Sequence, residues 1–326
     1  MKRFKFLFSM VFLVCLGLTS LQVMAMDKWP TKQVSIVVPF SPGGTTDRVA
    51  RALALFLEKE LQVPVIIVNR KGGGGIVGTK AHLKNDPDDG SYLVYSLEPY
   101  LSAAVVNNAF EIDDFEYFGM TNRSPQALWV NKKSKFQTAN DLFNTLKNGK
   151  RVTTAVIPGG WSRAAVAIIN DRLKSKAKQI PYQGGGAVQR MAMIKQETDF
   201  AVSEFYGTAA AAGEDLKCLG VFAESRLSDF PEVPTINEVL QEMNLKPIDP
   251  LYNFRFLMVK KSFRQKYPER WRMMADAIAK AIQNQDYKAQ MSKQNIKISW
   301  MNATQTKNLI ETTDTVLQTY SEYWKR

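Results

Sequence analysis

Two glycine-rich stretches hold the residues whose types and spacing could do chemistry. The first is Pro39 to Asp47, PFSPGGTTD. Pro42 fixes one backbone angle, Gly43 and Gly44 permit positive φ and close approach of a ligand, and Thr45 or Thr46 can cap a helix starting there. Unpaired amides at a helix start, added to the helix dipole, stabilise a carboxylate or phosphate. An ordinary strand-to-helix turn selects the same residues, so the loop by itself leaves both readings open. The second stretch follows Asn69 and carries Gly73-x-Gly75-x-x-Gly78, with Glu98 closing the next strand about twenty residues on, the spacing of a dinucleotide fingerprint. Against that reading, a helix after Gly78 has room only to about Asn85 before the turn Asp86-Pro87-Asp88-Asp89-Gly90. Thr79-Lys80 after Gly78 also excludes a phosphate-binding P-loop. The plainer reading is a glycine turn packed against the first loop.

Nucleophilic and metal chemistry find little material. His82, in the short helical stretch TKAHLK, is the sole histidine, so a Ser-His or Cys-His pair has one candidate base, and a packed histidine is the simpler account. The two cysteines are Cys15 and Cys218. No CxxC, HExxH or histidine pair occurs, so no metal site is expected.

The elements that must position the first loop follow from pattern. Val34, Ile36, Val37 and Val38 form a β-branched run suited to a strand covered on both faces, and Val49, Ala50, Leu53, Ala54 and Leu57 recur at helical spacing. Further strands are expected near Val65, Tyr92, Ala127, Val152, Phe200, Lys217 and over Phe254 to Val259. Helices are expected over Arg48–Glu60, Ala139–Lys147, Arg163–Lys174, Ala187–Lys195, Tyr267–Gln283 and Thr304–Trp324. Alternation of this kind predicts an α/β fold on a parallel sheet.

At the start, Lys2, Arg3 and Lys5 precede an apolar run from Phe6 to Val23, and Val23-Met24-Ala25 has the small-residue pattern of a signal-peptidase site. The expectation is export, with cleavage after Ala25. Cys15 then leaves with the signal and Cys218 stands alone, so no disulfide forms within the mature chain. The chain carries 43 basic and 31 acidic residues, net +12, three of the cations leaving with the signal. The charges are scattered without aromatic interleaving, which argues against nucleic acid and for a surface that steers anions.

Taken in order, PFSPGGTTD, NRKGGGGIVG at Asn69 to Gly78, DPDDGSYL at Asp86 to Leu93, IPYQGGG at Ile180 to Gly186 and SRLSDFPEVPTINE at Ser225 to Glu238 resemble the motifs of one family. It is the TctC or Bug-type substrate-binding proteins of tripartite tricarboxylate transporters. The resemblance spans nearly the whole mature chain. It implies a two-domain α/β periplasmic binding-protein fold of type II-like form, with two crossing strands and a ligand cleft between the domains. Domain one would be residues 26–126 with 250–326, and domain two 127–249. It also implies a non-enzymatic receptor that captures a small carboxylate, a di- or tricarboxylate, aromatic acid or amino-acid-like molecule, and delivers it as a monomer to membrane permease subunits. Carried over residue by residue, the proximal site would be Ser41, Gly43, Gly44, Thr45, Thr46 and Asp47, backed by Gly73 and Gly74, with Asp47 bracing the loop. The distal wall would come from Ile157 to Arg163, with Gly160, Trp161 and Ser162, from Tyr182 to Gly185, with Tyr182 and Gly184, and from Ser203 to Gly207, with Glu204 and Phe205.

The chain departs from the family pattern at Gly160-Trp161-Ser162-Arg163, which lacks the usual histidine, and at Lys195 to Asp199. Glu98 and Glu204 each follow a strand where the family has small or neutral residues. Acids facing the cleft would ask for an ammonium or another donor on the ligand, unless Arg163 pairs with them. Two alternatives remain at this point: an exported α/β enzyme holding a nucleotide at Gly73 to Gly78, and a ligand-sensing adaptor for a signalling receptor.

Overall fold

The computed structural model describes residues 29–183 and 185–321, so the expected signal peptide and Gly184 lie outside the described residues. The first strand, β1 (Val34–Val38), is buried along its whole length, as its β-branched run requires. It pairs in parallel with β2 (Val65–Asn69) and β3 (Tyr92–Glu98). Between them run α1 (Thr45–Leu61) and α2 (Ile76–Asn85). The apolar face of α1, with Val49, Ala50, Leu53 and Leu57, packs into a core with Val34, Ile36, Val38 and Leu93. Truncating a fully buried leucine there, such as Leu53, costs about 2–5 kcal/mol.

After α3 (Tyr100–Val106) comes β4 (Phe115–Asn131), which is far longer than the short strand expected around Ala127. Its first part, Phe115 to Pro125, runs antiparallel to β9 (Tyr252–Lys260), and its second part, Gln126 to Asn131, lies between β7 (Phe200–Glu204) and β8 (Leu216–Val221). The sheet order is β2-β1-β3-β9-β4-β7-β5-β6, with β5 (Thr153–Val156) and β6 (Lys178–Pro181) completing the second half. The sheet is therefore parallel in each half and antiparallel where β4 and β9 join the halves. β4 and β9 are thus the two crossing strands that the resemblance implied, joining two parallel halves.

The second half is covered by α4 (Ala139–Lys147), α5 (Trp161–Leu173), α6 (Gly186–Ile194), α7 (Phe205–Ala212) and α8 (Ile236–Glu242). The chain then returns to the first half through β9, α9 (Lys261–Lys266), α10 (Pro268–Gln283), α11 (Gln285–Ser292), β10 (Met301–Asn302) and α12 (Ala303–Thr319). Met274, Ile278 and Ile282 of α10 pack on the β1 core, with Trp271 against it. In both halves the loops leaving β1, β5 and β7 open on the same space, where ligands of parallel α/β sheets bind.

Candidate functional site

The loop Pro39 to Thr46 owes its shape to two residues. Gly43 sits at φ +78°, a left-handed conformation that favours glycine. Asp47, 2% exposed, accepts hydrogen bonds from the Gly43 amide (2.8 Å), Arg51 Nε (2.9 Å) and Asn69 Nδ2 (2.8 Å). Burial pushes the Asp47 carboxyl up, but the Arg51, Gly43 and Asn69 hydrogen bonds outweigh it and hold the pKa below its ordinary value. The carboxylate braces the loop from behind and is not among the residues facing the cleft. Gly44, at φ −68° and ψ 165°, is the N-cap of α1, and no side chain caps that helix. The first amides of a seventeen-residue helix are thus presented to the cleft.

A cavity of about 660 Å³ lies between the two halves. Ser41, Gly43, Gly44, Thr45 and Thr46 line one side, and Gly160, Trp161, Ser162 and Glu204 line the other. The second loop is shaped as the first is, by internal hydrogen bonds: Ser162 Oγ accepts from the Ile157 amide at 2.8 Å. Trp161 is anchored by donating Nε1–H to the Tyr252 carbonyl at 2.6 Å. Gly185 and Gly186 line the cleft as well.

The remaining expected site residues stand elsewhere. Gly73 and Gly74 form a turn behind the first loop, where a Cβ on Gly74 would come within 3.3 Å of Tyr100, whose ring does face the cleft. A Cβ on Gly78 would meet the Arg70 carbonyl at 2.2 Å, so the G-x-G-x-x-G spacing serves close packing of the turn. Glu98 is wholly buried and accepts from the Ser102 amide (3.1 Å) and Ser102 Oγ (2.9 Å), away from the cleft that its neighbour Leu97 lines. Burial pushes its pKa to about 8, against the Ser102 hydrogen bonds and with a small contribution from Asp314. Tyr182 donates its hydroxyl to Glu197 (3.0 Å), and Phe205 packs edge-on against Phe230 at 4.8 Å and beside Trp129. His82 is fully buried with Nδ1 at 3.0 Å from Asp86, and burial lowers its pKa to about 4.

The cations of the site escaped the sequence reading. Arg48, Arg123, Arg190, Arg255 and Lys297 line the cleft, against Glu204 as the one acid among its described lining residues. Arg255 projects from β9 and is 3% exposed. Its Nε donates to Thr46 Oγ1 (3.2 Å) and its Nη2 to Glu204 Oε2 (3.4 Å), while Nη1 is buried with no hydrogen-bond partner. Glu204 also accepts from Asn253 Nδ2 at 3.2 Å. Glu204 is thus partnered by Arg255 and Asn253, the role for which the sequence offered Arg163 as one possibility. A lone arginine inside the apolar run YNFRFLMV was the signal that could have found it.

Arg190 is half-buried, its pKa lowered by burial and raised in part by Glu204. Arg123 stacks on the Tyr252 ring with the guanidinium carbon 4.6 Å from the centroid. Lys297 pairs with Asp229 at 3.0 Å across the mouth. The arrangement can hold a small anion between a helix start and buried guanidinium donors. Among the described residues, no group of three His, Cys, Asp or Glu side chains could hold a metal ion.

Such a cleft, between two α/β halves joined by β4 and β9, defines a periplasmic binding-protein fold of the type II-like form. Residues 49–319 match the model of the tripartite tricarboxylate transporter family receptor, TctC, and the chain belongs to that family. It is a periplasmic solute receptor and not an enzyme. A UPF0065 protein of Bordetella pertussis is 28% identical over 230 residues, 68% of this chain and 70% of the relative. Among solved structures, MatC of Rhodopseudomonas palustris with bound malate superposes with a TM-score of 0.70 at 21% identity, covering 91% of this chain and 99% of that one. A second R. palustris protein, with adipate, gives 0.72 at 18% identity, covering 91% and 98%.

Proposed function

We propose that this receptor captures a small plain carboxylate in the cleft between its halves and hands it to the permease subunits of a tripartite tricarboxylate transporter, acting as a monomer cleaved after Ala25. The observation that carries the reading is the charge of the cleft, five cations and the uncapped start of α1 against a single acid. Malate and adipate, bound by proteins of the same fold, are carboxylates of a size this cavity accommodates.

In this reading Ser41, Gly43, Gly44, Thr45 and Thr46 hold one carboxylate by main-chain and hydroxyl donors, and Gly160, Trp161, Ser162, Gly185 and Glu204 form the opposite wall. Asp47, Gly73 and Gly74 support the first loop. Residues 26–126 with 250–326 make one domain and 127–249 the other, in keeping with the change of β4 partners between Pro125 and Gln126. Closure of one domain on the other traps the ligand and excludes water.

The ammonium expected from two cleft acids loses its basis, since Glu98 is buried elsewhere and Glu204 has Arg255 and Asn253. The test is thermal melting and calorimetric titration of the mature protein with malate, adipate, citrate, glutamate and a dinucleotide. Plain di- or tricarboxylates are expected to raise the melting temperature. A shift given by the dinucleotide alone, or by amine-bearing acids alone, overturns the reading.

A further inference from the structure

The Glu204–Arg255 contact is poorly made for two charges that share a cleft. The distance of 3.4 Å, on a single nitrogen, is well beyond the roughly 2.7–2.9 Å of a charge-assisted hydrogen bond. Glu204 Oε2 divides itself between Arg255 Nη2 and Asn253 Nδ2. Arg255 meanwhile is fixed: Phe254 and Phe256 on either side are fully buried, and Thr46 Oγ1 takes Nε. Arg255 lines the cleft, and its Nη1 is buried without a partner, which costs free energy. With Nε given to Thr46, the edge formed by Nη1 and Nη2 is the one left for a carboxylate to grip with two parallel hydrogen bonds.

From this we infer that Arg255 is the direct anchor for one carboxylate of the ligand, and that Glu204 is a built-in counter-ion which that carboxylate displaces. The inference rests on the carboxylate-receptor reading above and deepens it. In the empty cleft Glu204 gives Arg255 part of its missing charge partner. An arriving carboxylate supplies a better one, filling Nη1 as well as Nη2, and Glu204 retains Asn253 and faces Arg190, whose charge it already favours. Glu204 thus sets the affinity and excludes ligands too weakly anionic to compete with it. Thr46, on the first turn of α1, ties the anchor to the anion-binding loop, so one carboxylate can meet both the helix amides and the guanidinium.

The experiment is calorimetric titration of malate, adipate and citrate into the wild-type protein and the variants Glu204→Gln, Arg255→Lys and the double variant, each checked by thermal melting for a cooperative fold. Glu204→Gln is expected to tighten whichever of these carboxylates binds by about tenfold, the scale of one weak charge-assisted bond no longer competing. The gain should persist at 1 M salt, where the screening length is about 3 Å, because the competition is a contact and not long-range repulsion. Arg255→Lys keeps the charge and loses the fork, so affinity should fall by at least about twentyfold. On that background Glu204→Gln should give no gain. Unchanged or weaker binding by Glu204→Gln, or an equal gain with lysine at 255, overturns the inference while leaving the carboxylate receptor intact. A wild-type protein that binds none of the three overturns both.

Discussion

Replacing Glu98 by glutamine should stabilise the protein at neutral pH and remove a pH dependence of unusual sign. The carboxyl is fully buried, and its pKa stands at about 8 in the folded chain against 4.5 as the ordinary value. Between those limits the folded state holds a proton that the unfolded state releases, so stability falls as pH rises, by about 1.4 kcal/mol per unit. The sign is opposite to that of a carboxylate whose pKa is depressed. From pH 4.5 to 7 the loss comes to about 3 kcal/mol, and it continues until pH 8. Glutamine keeps an acceptor for the Ser102 amide and cannot ionise. Urea denaturation of wild type and Glu98→Gln at pH 5, 6, 7 and 8 isolates this group, because other titrations cancel in the difference. The variant should gain under about 1 kcal/mol at pH 5 and about 3 kcal/mol at pH 7. A difference that stays flat across the series would refute the argument and show a carboxylate kept charged by Ser102.

His82 acts in the other direction. Its pKa is lowered to about 4, so its contribution is present above pH 6.5 and lost as pH falls toward 4, about 3 kcal/mol in all; His82→Asn should flatten the acid limb of the stability profile. Gly44→Val should abolish carboxylate binding while the melting temperature stays nearly unchanged, because φ is −68° there and a Cβ meets only the Ser41 carbonyl at 3.5 Å; calorimetry and melting in parallel check it, and retained affinity would remove the loop from the site. Asp47→Ala breaks three hydrogen bonds, one of them to Arg51, and should cost about 2–4 kcal/mol in urea unfolding together with ligand affinity. Gly90→Ala should destabilise by about 3 kcal/mol or more without a specific effect on affinity, since φ is +86° and the new Cβ would lie 2.4 Å from the Phe263 ring.

What could be read from residues in order was what depends on short range. The β-branched run at Val34, the Gly-Gly-Thr-Thr turn and the helix behind it are local, and the structure has them where pattern put them. Asp47 behaves as a brace because it sits on the first turn of α1, with Arg51 one turn further along. The cations required long-range information. Arg255 reaches Thr46 and Glu204 only because β9 lies between β3 and β4, a pairing with no local signature. Glu98 failed on parity: alternate residues of a strand face opposite ways, and Leu97 took the cleft. Tyr182 turned to Glu197, in the very segment, Lys195 to Asp199, where the family pattern is broken.

The passage of β4 and β9 through the middle of the sheet bears on how the chain can be made. β3 pairs with β1 on one side and finds its second neighbour only when Val94 meets Met258, and β4 is flanked by β9 along Phe115 to Pro125. The N-terminal half of the chain therefore cannot close its own sheet while it is the only part synthesised. Loop closure over such separations is slow, and a partly delivered chain keeps unpaired strand edges until its last third arrives. The same wiring forbids dividing the receptor into two independently folding pieces at Gln126, since the first piece would lack β9.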